Sequence, residues 1–177
     1  MKKQGFFFTL CLSILMTVVA GCKSSEVDVP FSKVKTDKKF YRAVGAGVSP
    51  DLAIAKKIAL QNAKSEIAGS IQSTFNQVNT AYFEQYGSGA TPDLSQKIEG
   101  MSQDVASQVL TNVRTIDTKY LKIKKSDHVR CFVAIEMLKS DVGKAAMDGL
   151  SKAKKDNIDI DEAKYREIFD KALDSEE

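Results

Sequence analysis

The sequence contains few of the side chains from which catalytic centres and metal sites are usually built. Among its 177 residues there is one histidine, His128, and there are three cysteines. No cysteine or carboxylate stands at metal-ligand spacing from His128, so no metal site is predicted. Cys131 is near in sequence, but residues 128 and 131 point to opposite faces of one predicted strand, which disfavours a catalytic pair. We therefore expect no enzymatic activity and no cofactor.

The sequence also lacks a strong excess of one charge and any basic cluster interleaved with aromatic residues. The formal net charge is +3, and Lys2 and Lys3 at the start of the chain supply most of it. Without these two lysines the basic and acidic side chains are almost balanced. Nucleic acid is therefore not expected as a partner.

No apolar run is long enough to cross a membrane as a helix. The longest, residues 6–20, is shorter than the ~20 residues that such a helix requires. It follows the basic start Met1-Lys2-Lys3 and ends in small residues. This combination is typical of a secretory signal peptide.

The end of that leader carries the most specific signal in the chain. Val19-Ala20-Gly21-Cys22 resembles the lipobox of bacterial lipoproteins. The resemblance implies cleavage between Gly21 and Cys22, and acylation of the Cys22 thiol and of its new amino group. The alternative is an ordinary signal peptide that happens to precede a cysteine, which the polar segment after Cys22 disfavours. We therefore predict lipid attachment at Cys22 and anchoring to the membrane through this N-terminal lipid.

Processing of this kind would leave a single free cysteine. Cys11 would leave with the leader and Cys22 would carry lipid, so that Cys131 stands alone. An exported domain with one free cysteine has no internal disulfide, and its fold must be stabilised by packing. Residues 22–38 are polar and charged, and we interpret them as a flexible lipidated tether. Lys23 occupies the position where an aspartate would mark inner-membrane retention, which favours the outer membrane.

The rest of the domain is predicted to assemble around residues 40–71, a strand followed by a long helix. One face of the strand, formed by Tyr41, Ala43, Gly45 and Gly47, is nearly all small and would let another backbone approach closely. Gly45-Ala46-Gly47 also begins like a dinucleotide-binding loop. We reject that interpretation because Pro50 stands at the third glycine position and no second strand follows.

Helix-start chemistry follows the strand, with Ser49 as the predicted cap, Pro50 in the first helical position and Asp51 beside the positive helix end. The helix then carries an apolar stripe at 3.6-residue spacing. Its alanine half should lie closest to the sheet. The stripe comprises Leu52, Ala55, Ala59, Ala63, Ile67, Ile71, Phe75, Val78 and Tyr82.

A second helix and two strands are predicted next. The helix stripe comprises Leu94, Ile98, Met101, Val105 and Val109. Residues 113–125 and 128–137 alternate with period two, and the first of these strands needs a bulge near Lys119 to reconcile its apolar positions. The second is expected to place Val129, Cys131, Val133, Ile135 and Met137 inward, and His128, Arg130, Phe132 and Glu136 outward.

The chain returns to helical periodicity from Lys139 onward. The last segment has an apolar stripe formed by Tyr165, Ile168, Phe169 and Leu173. A helix this short is marginal in water, so we expect its stripe to be buried. The surface of its own domain is the favoured site, and a protein partner or a second copy is the alternative.

The lipobox and the tether are joined by a strand-and-helix pattern: Arg42-Ala43-Val44-Gly45, Gly47, Ala55, Ala59, Asn62-Ala63-Lys64 and Ala68. With these features the chain resembles the LPP-twenty group of small bacterial lipoproteins, and related domains occur in outer-membrane lipoproteins of flagellar assembly. The likeness covers roughly residues 40–137. It implies an outer-membrane lipoprotein of structural or assembly role, without established enzymatic activity, and it supplies no catalytic residues.

We expect an α+β fold, a small antiparallel sheet of about three strands with two long helices packed on one face, plus C-terminal helices. The predicted divisions are a lipoprotein signal peptide (1–21), a lipidated tether (22–38), an α+β domain resembling that family (39–138) and a C-terminal helical extension (139–177). A sheet of this size leaves an exposed edge, where a protein partner or a second copy would add.

The predicted function is therefore that of a lipid-anchored, non-enzymatic cell-envelope lipoprotein acting through structural or assembly interactions with protein partners or through self-association. The alternative is a periplasm-facing carrier that binds a small apolar ligand between sheet and helices, which needs an unfilled apolar pocket. An enzyme is the third hypothesis, and it needs clustered ionisable groups, which the sequence does not show.

Overall fold

The computed structural model describes residues 29–86, 92–155 and 160–175. In these ranges the chain forms three antiparallel strands and four α-helices, which confirms the predicted α+β fold. A short 3-10 turn, Leu110–Asn112, separates the second helix from the second strand. In chain order the elements are β1 (Phe40–Ser49), α1 (Leu52–Tyr86), α2 (Pro92–Val109), β2 (Arg114–Lys122), β3 (Val129–Leu138), α3 (Lys139–Lys155) and α4 (Glu162–Ser175).

The sheet has the order β1-β3-β2, so that β3 is the central strand and the other two are its edges. Gly45 of β1 lies opposite Val133 of β3, and Val133 lies opposite Thr118 of β2. Residues paired in this way share one face of the sheet. That row of three therefore compares the two edge strands at equivalent positions.

β1 and α1 approach each other through the small-residue face, as predicted. A Cβ atom added to Gly45 would lie 2.0 Å from the carbonyl oxygen of Ala59 and 2.4 Å from the amide nitrogen of Ala63. A Cβ added to Gly47 would lie 2.3 Å from the carbonyl oxygen of Ala55. Only glycine fits at such distances, because any other side chain would have to displace the helix backbone.

The predicted stripe of α1 is buried except at its first residue. Leu52 is 53% exposed, which contradicts its expected place in the core. Gly47, near the end of β1, already faces Ala55. Leu52 lies one turn earlier and therefore extends past the strand that would cover it. The buried residues of the stripe are Ala55, Ala59, Ala63, Ile67, Ile71, Phe75, Val78 and Tyr82.

The cap of α1 is also displaced from the predicted residue. The Asp51 carboxylate accepts the backbone N–H of Ala53 at 2.7 Å and that of Ile54 at 2.9 Å. Ser49 instead accepts the N–H of Asp51 at 3.1 Å. The helix therefore begins at Leu52, after Pro50, because an aspartate can both accept these bonds and complement the helix dipole.

Both faces of β3 are covered, so two of its predicted outward residues are in fact buried. Phe132 lies in a groove with Phe31 and Val34 of the segment that precedes β1. Glu136 is bound from both sides by the guanidinium groups of Arg42 and Arg114. The period-two alternation of β3 predicted that only one of its faces would be buried. Its second face is covered by segments that are distant in sequence, which the alternation of a single strand cannot indicate.

The bulge of β2 lies at a different position from the predicted one. The register between β2 and β3 shifts between Thr115 and Asp117, not near Lys119. Beyond the shift Tyr120 faces Cys131 and Leu121 faces Arg130 in regular pairing. The apolar residues occur on both faces of this stretch because β2 is exposed along nearly all of its length.

The segment before β1, which is part of the predicted tether, is hydrogen-bonded to that strand. The backbone N–H of Arg42 donates to Thr36 Oγ1 at 3.1 Å, and the N–H of Asp37 donates to the carbonyl of Phe40 at 3.0 Å. Pro30 is buried. Hydrogen bonds from the backbone N–H groups of Phe40 and Lys39, joined by Arg42, lower the pKa of Asp37 to about 2.

The C-terminal helices complete the same hydrophobic core. Among the stripe residues of α2, Leu94 has no described side chain, whereas Ile98, Met101, Val105 and Val109 are buried. Helix α2 packs against α3 and α1, and α4 packs against α1 and α3. The core cluster includes the α3 residues Val142, Ala145, Ala146 and Leu150.

The predicted tail helix docks on its own domain. Tyr165 and Phe169 are fully buried, and the Phe169 ring meets Phe75 edge-on with 5.1 Å between ring centroids. The Tyr165 hydroxyl donates to Asn79 Oδ1 at 2.7 Å, and the backbone N–H of Asp161 donates to the Tyr82 hydroxyl at 2.8 Å. Burial raises the pKa of Tyr165.

Candidate interaction surface

The predicted lipidation site, Gly21 and Cys22, lies outside the described residues, so lipid attachment stays a prediction. No helix in the described part of the chain is long and apolar enough to span a membrane. Within residues 29–86, 92–155 and 160–175, no group of three or more histidine, cysteine, aspartate or glutamate side chains could hold a metal ion.

The structure keeps Cys131 and His128 apart. Cys131 is fully buried on the face of β3 that packs against α1, as predicted, and burial raises the pKa of its thiol. His128 is exposed beside the β2–β3 turn, where its Nδ1 lies 3.0 Å from Ser126 Oγ. A buried thiol and an exposed imidazole on different faces cannot act on one substrate.

At Gly45 and Gly47 the contact between β1 and α1 leaves no room for the apolar ligand of the carrier hypothesis. The backbones touch at Gly45 and Gly47, and the alanines of α1 complete the interface. A groove does run between α1 and α2, and amide side chains of Gln72, Asn76 and Asn79 contribute to its lining. Such a lining suits water better than a purely apolar ligand.

The outer edge of β1 is partly covered by the chain itself. Thr36 bonds both the N–H and the carbonyl of Arg42. Asp37 donates to Phe40, and Asn62 Nδ2 donates to the carbonyl of Ala46 at 2.8 Å. These contacts use several of the main-chain groups through which another strand could pair.

The outer edge of β2 is open over residues 116–122, which we call the β2 edge. The N–H of Ile123 donates to His128 at 3.2 Å, and this hydrogen-bonded pair fixes the alternation along the two strands. Main-chain groups of residues 121, 119 and 117 therefore point to β3, and those of Thr118, Tyr120 and Lys122 point away. In the described chain, no backbone hydrogen bond from another segment reaches these outward groups.

The side chains of the β2 edge are exposed and mixed in character. Ile116 is 44% exposed and Tyr120 is 42% exposed. Between them lie exposed Asp117 and Lys119, and the Asp117 carboxylate accepts the outward N–H of Thr118 at 2.7 Å. Open main-chain groups beside apolar side chains form a surface that can receive an added strand.

A second exposed apolar group lies around the start of α1. It consists of Val48, Leu52, Ile54 and Ile58. Sequence reasoning missed it because the stripe of α1 was expected to start at Leu52. Ile54 and Ile58, one turn apart, stood outside the predicted stripe and are the signal that could have revealed it. The main-chain N–H and carbonyl groups of a helix form hydrogen bonds with each other. This group therefore offers a partner fewer main-chain hydrogen bonds than the β2 edge does.

One charged row crosses all three strands on the sheet face opposite α1. The Arg42 Nε donates to Glu136 Oε2 at 3.0 Å, and the Arg114 Nε donates to Glu136 Oε1 at 3.1 Å. The Arg114 hydrogen bond is the main cause of the lowered pKa of Glu136, with Arg42 adding to it and burial opposing it. Every charge in this row has a partner, so we assign it a structural role that holds the strands in register.

Comparison with known proteins adds no relative from which a function could be transferred. No protein-family model matches the chain, and neither the curated proteins nor the solved structures contain a match. The candidate surface therefore rests on the geometry of the β2 edge.

Proposed function

We propose that this protein is a lipid-anchored, non-enzymatic component of the bacterial cell envelope that acts by binding protein partners through the β2 edge. The open edge itself is the observation that supports binding. The lipobox ending in Cys22 supports the anchor. The resemblance to the LPP-twenty group supports an outer-membrane location and a structural or assembly role.

Strand addition suits the chemistry of this edge. Outward N–H and carbonyl groups of Tyr120 and Lys122 offer main-chain hydrogen bonds, which supply affinity with little dependence on sequence. The exposed side chains of Ile116, Tyr120 and Leu121 then add cross-strand contacts, each worth about 0.2–1 kcal/mol. Such a surface binds a strand without requiring any reacting group.

The anchor would hold this edge near the membrane. Val29 is the first described residue, and Pro30 is already buried against the domain. Seven residue steps separate Cys22 from Val29, which span at most about 25 Å when fully extended. The domain that carries the β2 edge would therefore lie close to the membrane surface and would meet its partners there.

The anchor is tested with Cys22→Ser in the full chain. We expect the variant to remain an uncleaved precursor without lipid, as measured by intact mass. The matched control is Cys131→Ser, which alters the buried cysteine and leaves the lipobox intact. Normal cleavage and acylation of the Cys22→Ser variant would contradict the lipoprotein assignment.

Partner binding is tested by affinity purification of the tagged full chain from its native membranes. We expect Tyr120→Glu to lose the proteins that co-purify with the wild type, because it places a charge in the apolar contact of the edge. Tyr86→Glu is the matched control, since Tyr86 is 40% exposed and lies on α1, away from the edge. Equal recovery with both variants would contradict binding through the β2 edge.

A further inference from the structure

We infer that the partner of the β2 edge is a second copy of this chain, paired antiparallel to the first about a two-fold axis at Thr118. The inference rests on the proposed function in one respect, the use of the β2 edge as the binding surface. It is independent of lipidation.

Backbone geometry limits how two such edges can meet. Residues that face each other across an antiparallel pair lie on the same side of the sheet, and their main-chain groups point the same way relative to the partner strand. In a two-fold pair, a residue on the axis faces its own copy. Thr118 points its main-chain groups outward, so a central Thr118 makes a hydrogen-bonded pair with Thr118 of the second copy when its N–H exchanges the Asp117 carboxylate for the carbonyl of that copy.

The side chains around Thr118 are self-complementary in this register. Residues at equal distances on either side of the axis face each other. Asp117 therefore faces Lys119 of the second copy, and Lys119 faces its Asp117. Ile116 is the extra residue of the bulge, so its exposed side chain lies beside the exposed Tyr120 of the second copy and not in regular pairing with it. Opposite charges placed directly across, as in the two Asp117–Lys119 pairs, are stabilising cross-strand pairs.

Neighbouring registers lose this complementarity. An axis at Asp117 sets two carboxylates directly opposite each other, and an axis at Lys119 does the same with two ammonium groups. Like charges directly opposite destabilise a strand pair. Arg114 and Lys122 would also face each other with Thr118 on the axis, but the bulge removes Arg114 from the regular edge and Glu136 binds its guanidinium. An axis at Tyr120 would set Lys119 opposite Leu121 and Asp117 opposite Ile123. Thr118 is therefore the axis that pairs the two opposite charges.

The same features could instead serve to protect an isolated edge. Charged side chains and bulges are devices that keep edge strands from pairing, and Asp117 already accepts the N–H of Thr118 within one chain. Protection requires charge but no particular order of signs. Self-pairing requires opposite signs at equal distances from the axis, as found at Asp117 and Lys119. To bind a foreign strand, the edge must complement that strand. Such binding does not require opposite charges at equal distances from Thr118.

Charge exchange between the two positions separates these possibilities. Two differently tagged full chains are co-expressed, extracted in detergent and purified through one tag, and the recovery of the other tag is measured. We expect Asp117→Lys in both chains, or Lys119→Asp in both, to lower that recovery about tenfold, because each places like charges opposite each other twice. One chain carrying Asp117→Lys and the other Lys119→Asp should pair as the wild type does.

The mixed pair decides the outcome, because each copy then presents the charge that the other requires. Recovery of pairing in the mixture and in the double variant Asp117→Lys/Lys119→Asp supports the two-fold register. Unchanged pairing in both single variants, or no recovery in the mixture, overturns it. Circular dichroism of each variant verifies that the fold is retained.

A cysteine at the axis provides a second measurement. Facing residues of a hydrogen-bonded pair have Cα atoms about 5.5 Å apart, within the range of a disulfide. We expect Thr118→Cys to form a disulfide-linked dimer on mild oxidation and Lys122→Cys, at the end of the edge, to form far less. Monomeric Thr118→Cys under these conditions overturns the inference.

Failure of this inference can be told apart from failure of the proposed function. If the tagged copies do not pair, yet Tyr120→Glu still loses other envelope proteins, the occupant is a foreign strand and the proposed function stands. If neither a second copy nor another protein depends on the edge, both are overturned.

Discussion

The two outer strands of the sheet make an instructive pair, since β1 and β2 flank the same central strand and have nearly the same length. In β1 every second residue from Tyr41 to Ser49 is buried, whereas eight of the nine residues of β2 are exposed. Helix α1 lies on β1 because Gly45 and Gly47 allow backbone contact. β2 has no glycine. Its residue in the row that contains Gly45 and Val133 is Thr118.

This difference shows how one sheet acquires one edge that is covered by its own chain and another that stays open. A face of small residues lets a helix come close and bury the strand. A strand of larger and charged residues stays outside that contact and keeps its main-chain groups available. The residues that exclude α1 from β2 are thereby the ones that would meet a partner.

The largest expected effect comes from a valine placed at equivalent positions of the two strands. Gly45→Val should destabilise the domain by on the order of 4 kcal/mol or more, because its Cβ alone would overlap the carbonyl oxygen of Ala59. Thr118→Val, in the same row, should change stability by about 0.5 kcal/mol or less. Urea denaturation measures the stability of both variants. Equal denaturation midpoints would contradict the expected difference between the two strands.

A smaller effect is expected from the two arginines that bind Glu136 from opposite sides. Arg42→Ala should cost about 1–3 kcal/mol, because it removes a mostly buried partner of both Glu136 and Asp37. Arg114 is the main cause of the lowered pKa of Glu136, but its side chain is 72% exposed and screened by water, so Arg114→Ala should cost less than about 1 kcal/mol. Thermal unfolding measures the stability of both variants. A larger loss of stability for Arg114→Ala than for Arg42→Ala would contradict this prediction.

Acid should weaken the same row. The pKa of Glu136 in the folded chain is lowered, chiefly by Arg114. Its contribution to stability is therefore complete above the pKa of the unfolded chain, and is lost as the pH falls through the lower folded value. We expect Glu136→Gln to flatten the acid limb of the stability curve. Glu84→Gln, at an exposed position, serves as the control. An unchanged acid limb of the stability curve in Glu136→Gln would show that other carboxylates determine the loss of stability in acid.

The smallest effect concerns cysteine reactivity across the sheet. Cys131 should resist a thiol reagent in the folded chain, because it is fully buried and its pKa is raised. A cysteine introduced by Leu121→Cys at the exposed β2 edge should react within the same period. Mass spectrometry after timed labelling measures both, and rapid labelling of Cys131 without denaturant would show that the β3 face opens.

Much of the fold could be predicted from local periodicity. The stripe of α1 from Ala55 to Tyr82, the small face of β1 and the inward set of β3 all follow from residues close together in sequence. The exposed sheet edge was anticipated as well. Which strand would present it was not, since strand order depends on contacts between distant segments.

The errors occurred where a distant segment changes a local pattern. Phe132 alternates as an outward residue, yet the chain before β1 covers it. Leu52 fits the helical stripe, yet it extends past the end of β1. Neither result could be inferred from spacing, because spacing states which side a residue faces and not what lies there.

The sequence by itself determined the period of each element and the close approach of β1 to α1, and it predicts a leader that is cleaved before Cys22. These follow from backbone geometry, from the missing side chain of glycine and from short-range chemistry. Only the tertiary structure decided that β3 is central, that Glu136 binds Arg42, which lies 94 positions away in the chain, and that β2 is left with an open edge. Those outcomes depend on which surfaces remain after α1 has covered β1, and no segment of the chain encodes that alone.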